Sequence, residues 1–198
     1  MAVLRAFIAV DISDDLKEQI QKFSDGLAGS MDGLPVRWHP ADRIHLTLKF
    51  LGDVSETNIE MISTILTNQA VQTAPFNLSV GSLGVFPNMQ RPRVIWIGVE
   101  APDELGSLQR RIELETTRMG YAPDKRSYSP HLTLARVSRN AAPAQVQAIS
   151  QVLRKQKLGF LGVTSVAEIV LYSSDLQPGG AVYTRIHQAP FGAPDSNT

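Results

Sequence analysis

The sequence predicts an α+β fold built from a duplicated β-α-β-α-β unit, because both halves of the chain show the same order of elements. Matching positions in the two halves are also separated by similar intervals. These intervals are 90, 88 and 86 residues for the pairs Val3 and Arg93, Ser55 and Pro143, and His45 and His131. A duplication produces such regular offsets, whereas a single series of β-α-β units gives no reason for them.

The first half contains three predicted strands and two predicted helices. Short runs rich in apolar, β-branched and aromatic residues indicate strands, and apolar residues three or four positions apart indicate helices. Serine before such a helix and glycine after it indicate its ends. The predicted elements are a strand at 5–10, a helix after Ser13, a connection or short strand at 35–39, an alternating strand at 45–51, a helix after Ser55 and a strand at 76–86.

The second half repeats this order and adds a strand at its end. The predicted elements are a strand at 93–99, a helix from Pro102 to Gly120, an alternating strand at 131–137, a helix from Pro143, a strand region at 160–172 and a strand at 181–187. We therefore predict one bilobal domain over residues 1–190, with repeats at about 1–88 and 91–190. The residues 191–198 are expected to form a flexible tail.

The composition indicates a globular protein that binds nucleic acid only locally, if at all. Hydrophobic residues make up 43% of the chain and charged residues 19%, as in a domain with a sizeable core. Basic and acidic residues number 19 each, whereas proteins that grip long stretches of nucleic acid are usually basic. Any contact with RNA is therefore expected at an RNA end, through a small basic patch.

Several kinds of protein are excluded by what the sequence lacks. Without cysteine there is no disulfide framework and no thiolate metal site. No apolar run approaches the ~20 residues that span a bilayer, and the first residues lack the apolar core of a signal peptide. We expect no membrane partner and a cytoplasmic location.

The middle strand of each half carries the same four residues, His-Leu-Thr-Leu, at 45–48 and at 131–134. One copy would be weak evidence, since a histidine on a strand is often structural and threonine favours strands anyway. Two copies at equivalent places favour function, because only four histidines occur in the chain. By alternation, histidine and threonine share one face of the strand and the leucines share the core face.

Two opposed His/Thr pairs fit phosphoryl transfer better than other chemistries. Two imidazoles with a pKa near ~6.5 can supply one base and one acid at neutral pH, and two hydroxyls can donate hydrogen bonds to an anion. The pattern offers no carboxylate pair for glycoside chemistry. It offers no Ser or Cys nucleophile beside a histidine, and too few ligands for zinc. In-line displacement at phosphorus needs a base, an acid and donors to the equatorial oxygens.

The sequence resembles the 2H phosphoesterase superfamily, named for two H-x-[ST]-x motifs. Within it, the chain is most similar to the bacterial and archaeal RNA 2′,3′-cyclic phosphodiesterases, also called 2′-5′ RNA ligases. The similarity runs from the first strand to Tyr183. It includes the segments at 5–10, 44–52, 91–96 and 129–136.

This resemblance implies a pseudo-twofold bilobal fold, in which mainly antiparallel sheets line a central cleft and helices lie outside. It implies hydrolysis of a terminal 2′,3′-cyclic phosphate to a 2′-phosphomonoester without metal or cofactor, and a 2′-5′ RNA ligase activity. Under the family's usual assignment His45 is the proton donor and His131 the proton acceptor, while Thr47 and Thr133 complete the site. The sequence itself does not distinguish the two roles. RNA ends, tRNA fragments among them, are the expected partners of a monomer.

Five further residues are predicted to contact the substrate. The family associates the positions of Phe50 and Arg136, each five residues after its histidine, with the substrate, although strict alternation puts both on the opposite face. They reach the site only if each strand bulges after its threonine. Lys125 and Arg126 are candidates for a basic rim, and Tyr128 for stacking on a base.

Trp96 lies in an apolar run and is expected in the core, and His39 and His187 are expected to be structural. Two other functions stay open. One is a phosphodiesterase of a small cyclic phosphate, such as a cyclic nucleotide or ADP-ribose cyclic phosphate. The other is a non-catalytic module that binds RNA ends, for which a matched acid and base would be unnecessary.

Overall fold

The strands and helices occur in the predicted order. The computed structural model describes residues 3–177 and 180–192. The strands are β1 (Val3–Val10), β2 (Val36–Trp38), β3 (Leu46–Ser55), β4 (Phe76–Phe86), β5 (Val94–Glu100), β6 (His131–Val137), β7 (Phe160–Val166), β8 (Glu168–Gln177) and β9 (Gly180–Pro190). The α-helices are α1 (Asp14–Gly29), α2 (Glu56–Val71), α3 (Asp103–Arg118) and α4 (Pro143–Lys155), and a short 3₁₀ helix spans Ala41–Arg43.

The strands form two antiparallel sheets, and each sheet takes strands from both halves of the chain. The first sheet has the order β3-β1-β8-β9 and the second the order β2-β6-β5-β4-β7. The strand that ends the first repeat, β4, pairs with β5 and β7 in the second sheet, while β8 from the second half pairs with β1. The predicted α+β fold class is confirmed. In addition, the two sheets exchange strands: β4 of the first half lies in the second sheet, and β8 of the second half lies in the first sheet.

The helices cover the core with the apolar faces that their spacing predicts. Leu16, Ile20 and Leu27 are the buried apolar residues of α1, and Leu105 and Ile112 lie in the buried face of α3. Together with the inward residues of both sheets they form one large apolar cluster. The helix starts are also as predicted, since the Ser55 side chain accepts a hydrogen bond from the Asn58 amide at 3.3 Å and so caps α2.

The predicted strand region at 160–172 is two strands that belong to different sheets. The chain leaves β7 in the second sheet at Val166 and enters β8 in the first sheet at Glu168. Apolar content alone does not reveal this crossing, because residues on both sides of it are buried. Of the predicted tail, residues 193–198 lie outside the described residues. Phe191 is 8% exposed and stacks on Phe76.

Candidate active site

Each motif histidine is held by the same local hydrogen bond. His45 Nδ1 lies 2.9 Å from the carbonyl oxygen of Arg43, and His131 Nδ1 lies 2.7 Å from that of Ser129. A carbonyl oxygen only accepts, so this contact assigns the hydrogen of the neutral ring to Nδ1. In both histidines Nε2 is therefore the nitrogen left with a lone pair for a ligand.

His45 lies against an aromatic cluster on the open face of the first sheet. Its ring stacks on Phe7 with centroids 4.6 Å apart, and the edge of Tyr183 meets it at 5.2 Å. Burial lowers the pKa of His45 to about 4, although the Arg43 carbonyl and the Asp11 carboxylate act in the opposite direction. Burial against apolar rings disfavours the imidazolium, so the free protein holds His45 neutral at pH 7.

His131 has an equivalent support on the second sheet. The Phe86 ring meets it edge-on with centroids 4.9 Å apart, and Trp96 lies 6.1 Å away. The expectation that Trp96 is a core residue is wrong, because the ring lies beside His131 on the open face. Gly84, the partner of Trp96 in the β4–β5 ladder, makes room for it, since a Cβ at this glycine would overlap the indole.

A β-bulge follows the threonine of the first motif and turns Phe50 to the histidine side. Ala9 pairs with Thr47 and Ile8 with Lys49, so Leu48 is left without a partner in the ladder. Leu48 and Lys49 are consecutive buried residues, and the alternation resumes one position late. Phe50 therefore lies exposed near Phe7, with ring centroids 5.9 Å apart.

The second motif contains the same bulge at the same position. Trp96 pairs with Thr133 and Ile95 with Ala135, so Leu134 is unpaired, and Leu134 and Ala135 are both buried. Arg136 is consequently exposed on the face that carries His131 and Thr133. Both strands therefore bulge after the threonine, which is the condition under which Phe50 and Arg136 lie on the histidine face.

The two threonines present hydroxyl groups beside their histidines. Thr47 and Thr133 are both half-buried. Across residues 3–177 and 180–192, neither Thr47 Oγ1 nor Thr133 Oγ1 takes part in a hydrogen bond with another protein group. Both hydroxyls are therefore available to donate to an anion bound beside the motif histidines.

Tyr128 connects the two motifs. It lies three residues before His131, and its hydroxyl donates to the Thr47 carbonyl at 3.1 Å. Its ring packs against the main apolar core, and burial raises the pKa of its hydroxyl above the ordinary value. These contacts favour a link between the motif strands over stacking on a base.

Lys49, inside the first bulge, is a site-supporting residue that the sequence analysis missed. Its Nζ donates to Glu113 Oε1 at 2.7 Å and to the Ala122 carbonyl at 2.8 Å. Glu113 Oε1 also accepts from the Asp124 amide at 2.8 Å. The buried pair therefore ties β3 to the loop that leads into the second motif. The sequence signal for this role was a lysine directly after the second leucine of the motif.

A sequence profile of the 2′-5′ RNA ligase superfamily matches residues 8–178. The chain belongs to this superfamily. An RNA 2′,3′-cyclic phosphodiesterase of Methanothermobacter thermautotrophicus is 34% identical over 181 residues, which are 91% of this chain and 95% of that protein. A protein of the same name from Aquifex aeolicus is 29% identical over 97% of this chain and 100% of its own length.

Solved structures agree with the superfamily assignment. E. coli LigT complexed with 3′-AMP matches with a TM-score of 0.77 and 26% identity, covering 96% of this chain and 99% of that one. The protein TT0787 of Thermus thermophilus matches with a TM-score of 0.80 at 23% identity, covering 96% of this chain and 99% of that one, and supports the fold alone.

In this member of the 2′-5′ RNA ligase superfamily, His39 lies closer to the motifs than its sequence context suggests. Burial lowers the pKa of His39 to about 4, helped by the nearby positive charges of Arg136, Arg37 and Arg43 and by His45. Its Nε2 is buried and has no hydrogen-bond partner among the described residues.

The remaining candidates of this superfamily member are exposed. Lys125 and Arg126 lie in the loop between α3 and β6, and their role as a basic rim stays a prediction. Within the described part of the chain, no group of three or more His, Asp or Glu side chains could hold a metal ion. None of the helices there is long and apolar enough to cross a membrane.

Proposed function

We propose that this chain opens 2′,3′-cyclic phosphates at RNA ends, giving a 2′-phosphomonoester, by acid-base catalysis with two histidines and without metal. The observation that carries the proposal is the equivalence of the two motifs. Each histidine is oriented by the carbonyl two residues before it and keeps Nε2 for a ligand, beside a threonine hydroxyl that no other group among the described residues uses.

Two comparisons support the substrate. The relatives named RNA 2′,3′-cyclic phosphodiesterase match nearly the whole chain, so the similarity includes both motifs. E. coli LigT, which has the same fold, was crystallised with the nucleotide 3′-AMP. A phosphate on a ribose is thus a ligand of a related protein, and a pair of imidazoles that act as acid and base are groups its transfer requires.

The reaction takes place in one displacement at phosphorus. Water attacks in line with the 3′-oxygen, and His131 Nε2 accepts the proton that the water loses. The bond between phosphorus and the 3′-oxygen breaks, and His45 Nε2 donates a proton to that oxygen. The hydroxyls of Thr47 and Thr133 donate hydrogen bonds to the non-bridging oxygens.

His45 can act as the proton donor only if binding of the substrate favours protonation of its imidazole ring. Burial lowers the pKa of His45 to about 4 in the free protein, so the donor form is scarce at neutral pH. An anionic phosphate against Nε2 stabilises the imidazolium and raises this pKa.

Ligation is the same transfer with an RNA hydroxyl in place of water. We expect the protein to act as a monomer, with tRNA fragments among its substrates.

The decisive experiment is incubation of the protein with an RNA that ends in a 2′,3′-cyclic phosphate, in the presence of EDTA. We expect a product with a terminal 2′-phosphate only, identified by mass and by its resistance to a 3′-specific phosphatase. A 3′-phosphate product, or turnover only after a divalent ion is added, would contradict the proposal. A nucleoside 2′,3′-cyclic phosphate assayed in parallel tests the alternative of a small substrate.

A further inference from the structure

The exposed arginines of the second sheet gather at the end of β6 that is remote from His131. An open cavity of about 1030 Å³ lies there. Four arginines line it, and its other lining residues are apolar apart from Ser138. The arginines are Arg37, Arg93, Arg136 and Arg139.

A second cavity continues this surface. It has a volume of about 640 Å³ and is lined by Arg91 and Arg154 in addition to Arg93, which both cavities share. Its remaining lining residues carry no charge, so no Asp or Glu among the residues that the structure describes lines either cavity. We call the two cavities together the arginine groove.

No ion pair within the described part of the chain neutralises the positive charges of the groove. Among residues 3–177 and 180–192, the ion pairs are Lys17–Asp14, Lys49–Glu113, Arg118–Glu115, Arg185–Asp11 and Arg185–Glu168, and none includes a groove arginine. The only hydrogen bond that a groove arginine side chain donates there is from Arg93 Nη1 to the Ser138 carbonyl, at 2.7 Å. Six exposed like charges close together repel one another, and they make this surface attractive to an anionic ligand although the chain as a whole has zero net charge.

The arginine groove lies on the same face of the second sheet as His131. Arg136 and Arg37 are cross-strand partners in the β2–β6 ladder, and the bulge at Leu134 puts Arg136 on the same face as His131. Five residues of extended chain separate His131 from Arg136, which corresponds to roughly 16 Å at the usual rise. This length spans several phosphates of a nucleic-acid strand, which carries one charge every ~3.4 Å along its axis in a duplex.

We infer that the arginine groove binds the backbone of the RNA strand on the 5′ side of the reacting end. The inference rests on the proposed function, because it takes the cyclic phosphate to lie between the two histidines. The strand then leaves the site past Arg136 and Arg37, reaches Arg139 and Arg93 at the end of β6, and continues to Arg91 and Arg154. The substrate is therefore a polynucleotide, and a mononucleotide uses only the first part of the site.

The test compares two substrates in a charge-removing double variant. Arg139→Gln with Arg154→Gln removes one arginine from each cavity and none from the motif strands. The matched control is Lys22→Gln with Arg110→Gln, two exposed residues of α1 and α3 that line neither cavity. The substrates are a nucleoside 2′,3′-cyclic phosphate and a ten-nucleotide RNA with the same terminal group.

We expect the groove variant to lower kcat/KM for the ten-nucleotide RNA about tenfold or more at low salt. Each lost phosphate contact reduces the slope of log affinity against log salt concentration by about 0.7, so the loss of affinity is greatest at low salt. The mononucleotide should react within twofold of the wild-type rate. Equal losses for both substrates, equal losses in the control variant, or no loss for either substrate would overturn the inference.

Binding of a fluorescent RNA that ends in a 3′-phosphate separates this inference from the proposed function. If wild-type protein cleaves neither substrate, the proposed function fails. The groove then stands if the Arg139→Gln and Arg154→Gln variant still binds the labelled RNA more weakly than the control variant does. It falls if both variants bind equally.

Discussion

Lys49 Nζ and Glu113 Oε1 form a 2.7 Å ion pair at the back of the candidate active site, with the lysine side chain 1% exposed. The lysine lies in the bulge of the first motif strand, and the glutamate also accepts a hydrogen bond from the Asp124 amide in the loop before the second motif. One buried pair thus positions parts of both motifs.

We predict that Lys49→Met destabilises the protein strongly, because Glu113 is left without its counter-ion. Removal of one partner of a fully buried pair costs about 3–5 kcal/mol, and the expected loss lies near the lower end of this range because the Glu113 side chain is 21% exposed. The Lys17→Met variant is the control, since Lys17 pairs with the exposed Asp14 and such pairs contribute about 0.2–1 kcal/mol. Urea denaturation of both variants measures the difference, and similar losses would argue against a supporting role for Lys49.

The roles of the two histidines can be separated with a sulfur leaving group. We predict that His45→Ala and His131→Ala each lower turnover of the RNA substrate by roughly 10²–10⁴-fold, while His187→Gln stays near the wild type. With sulfur at the bridging 3′ position, the leaving thiol has a pKa near ~8.5 and needs no proton donor. Only the His45→Ala variant should regain turnover, and recovery of His131→Ala instead would reverse the assignment.

Phe50 is expected to affect substrate binding without affecting stability. It is 65% exposed although large and apolar, so replacement by serine should change the free energy of unfolding by less than about 0.5 kcal/mol. Loss of a stacked base should raise KM for RNA substrates, since such stacking is worth about 1–3 kcal/mol. Phe160→Ser, at a residue 71% exposed, is the control. An unchanged KM in the Phe50 variant would show that Phe50 does not stack on a base of the substrate.

Two histidines make stability depend on pH. His39 and His45 have a pKa of about 4 in the folded protein, below the ~6.5 of an unfolded chain. Between these values the unfolded chain binds more protons, so the free energy of unfolding falls as the pH is lowered from about 6.5 to about 4. The expected loss is on the order of 1–3 kcal/mol for each histidine.

The variants His39→Gln and His45→Gln test this pH dependence, because glutamine does not titrate. Each should flatten the curve of unfolding free energy against pH, and the double variant should flatten it most. If the double variant follows the wild-type curve, other groups are responsible for the loss of stability in acid.

Much of the fold followed from periodicity, but the details of the site did not. The helices and the order of strands were predictable because apolar spacing reports which face is buried. The bulges were harder to foresee. In β6 the consecutive apolar residues Leu134 and Ala135 interrupt the alternation and indicate the bulge, but in β3 the second buried residue is Lys49, whose charge suggests an exposed position.

Interactions between distant parts of the chain escaped the sequence analysis for a related reason. Lys49 is buried only because Glu113, 64 residues later, neutralises it. Trp96 lies on the face opposite the buried Ile95 and Ile97, and its ring has room there because the residue on the neighbouring strand is Gly84. The pairing of β1 with β8 likewise depends on which sheet the chain enters after Val166, and local pattern carries no information about that.

The exchange of strands also determines when this site can form during translation. Ala6 pairs with Ser173, so the sheet behind His45 remains incomplete until the ribosome has made β8. Tyr172 and Tyr183, which lie beside His45, emerge equally late. Such distant pairing slows folding, and a nascent chain stalled after β7 would display β1 with an unfilled edge that other polypeptides can occupy.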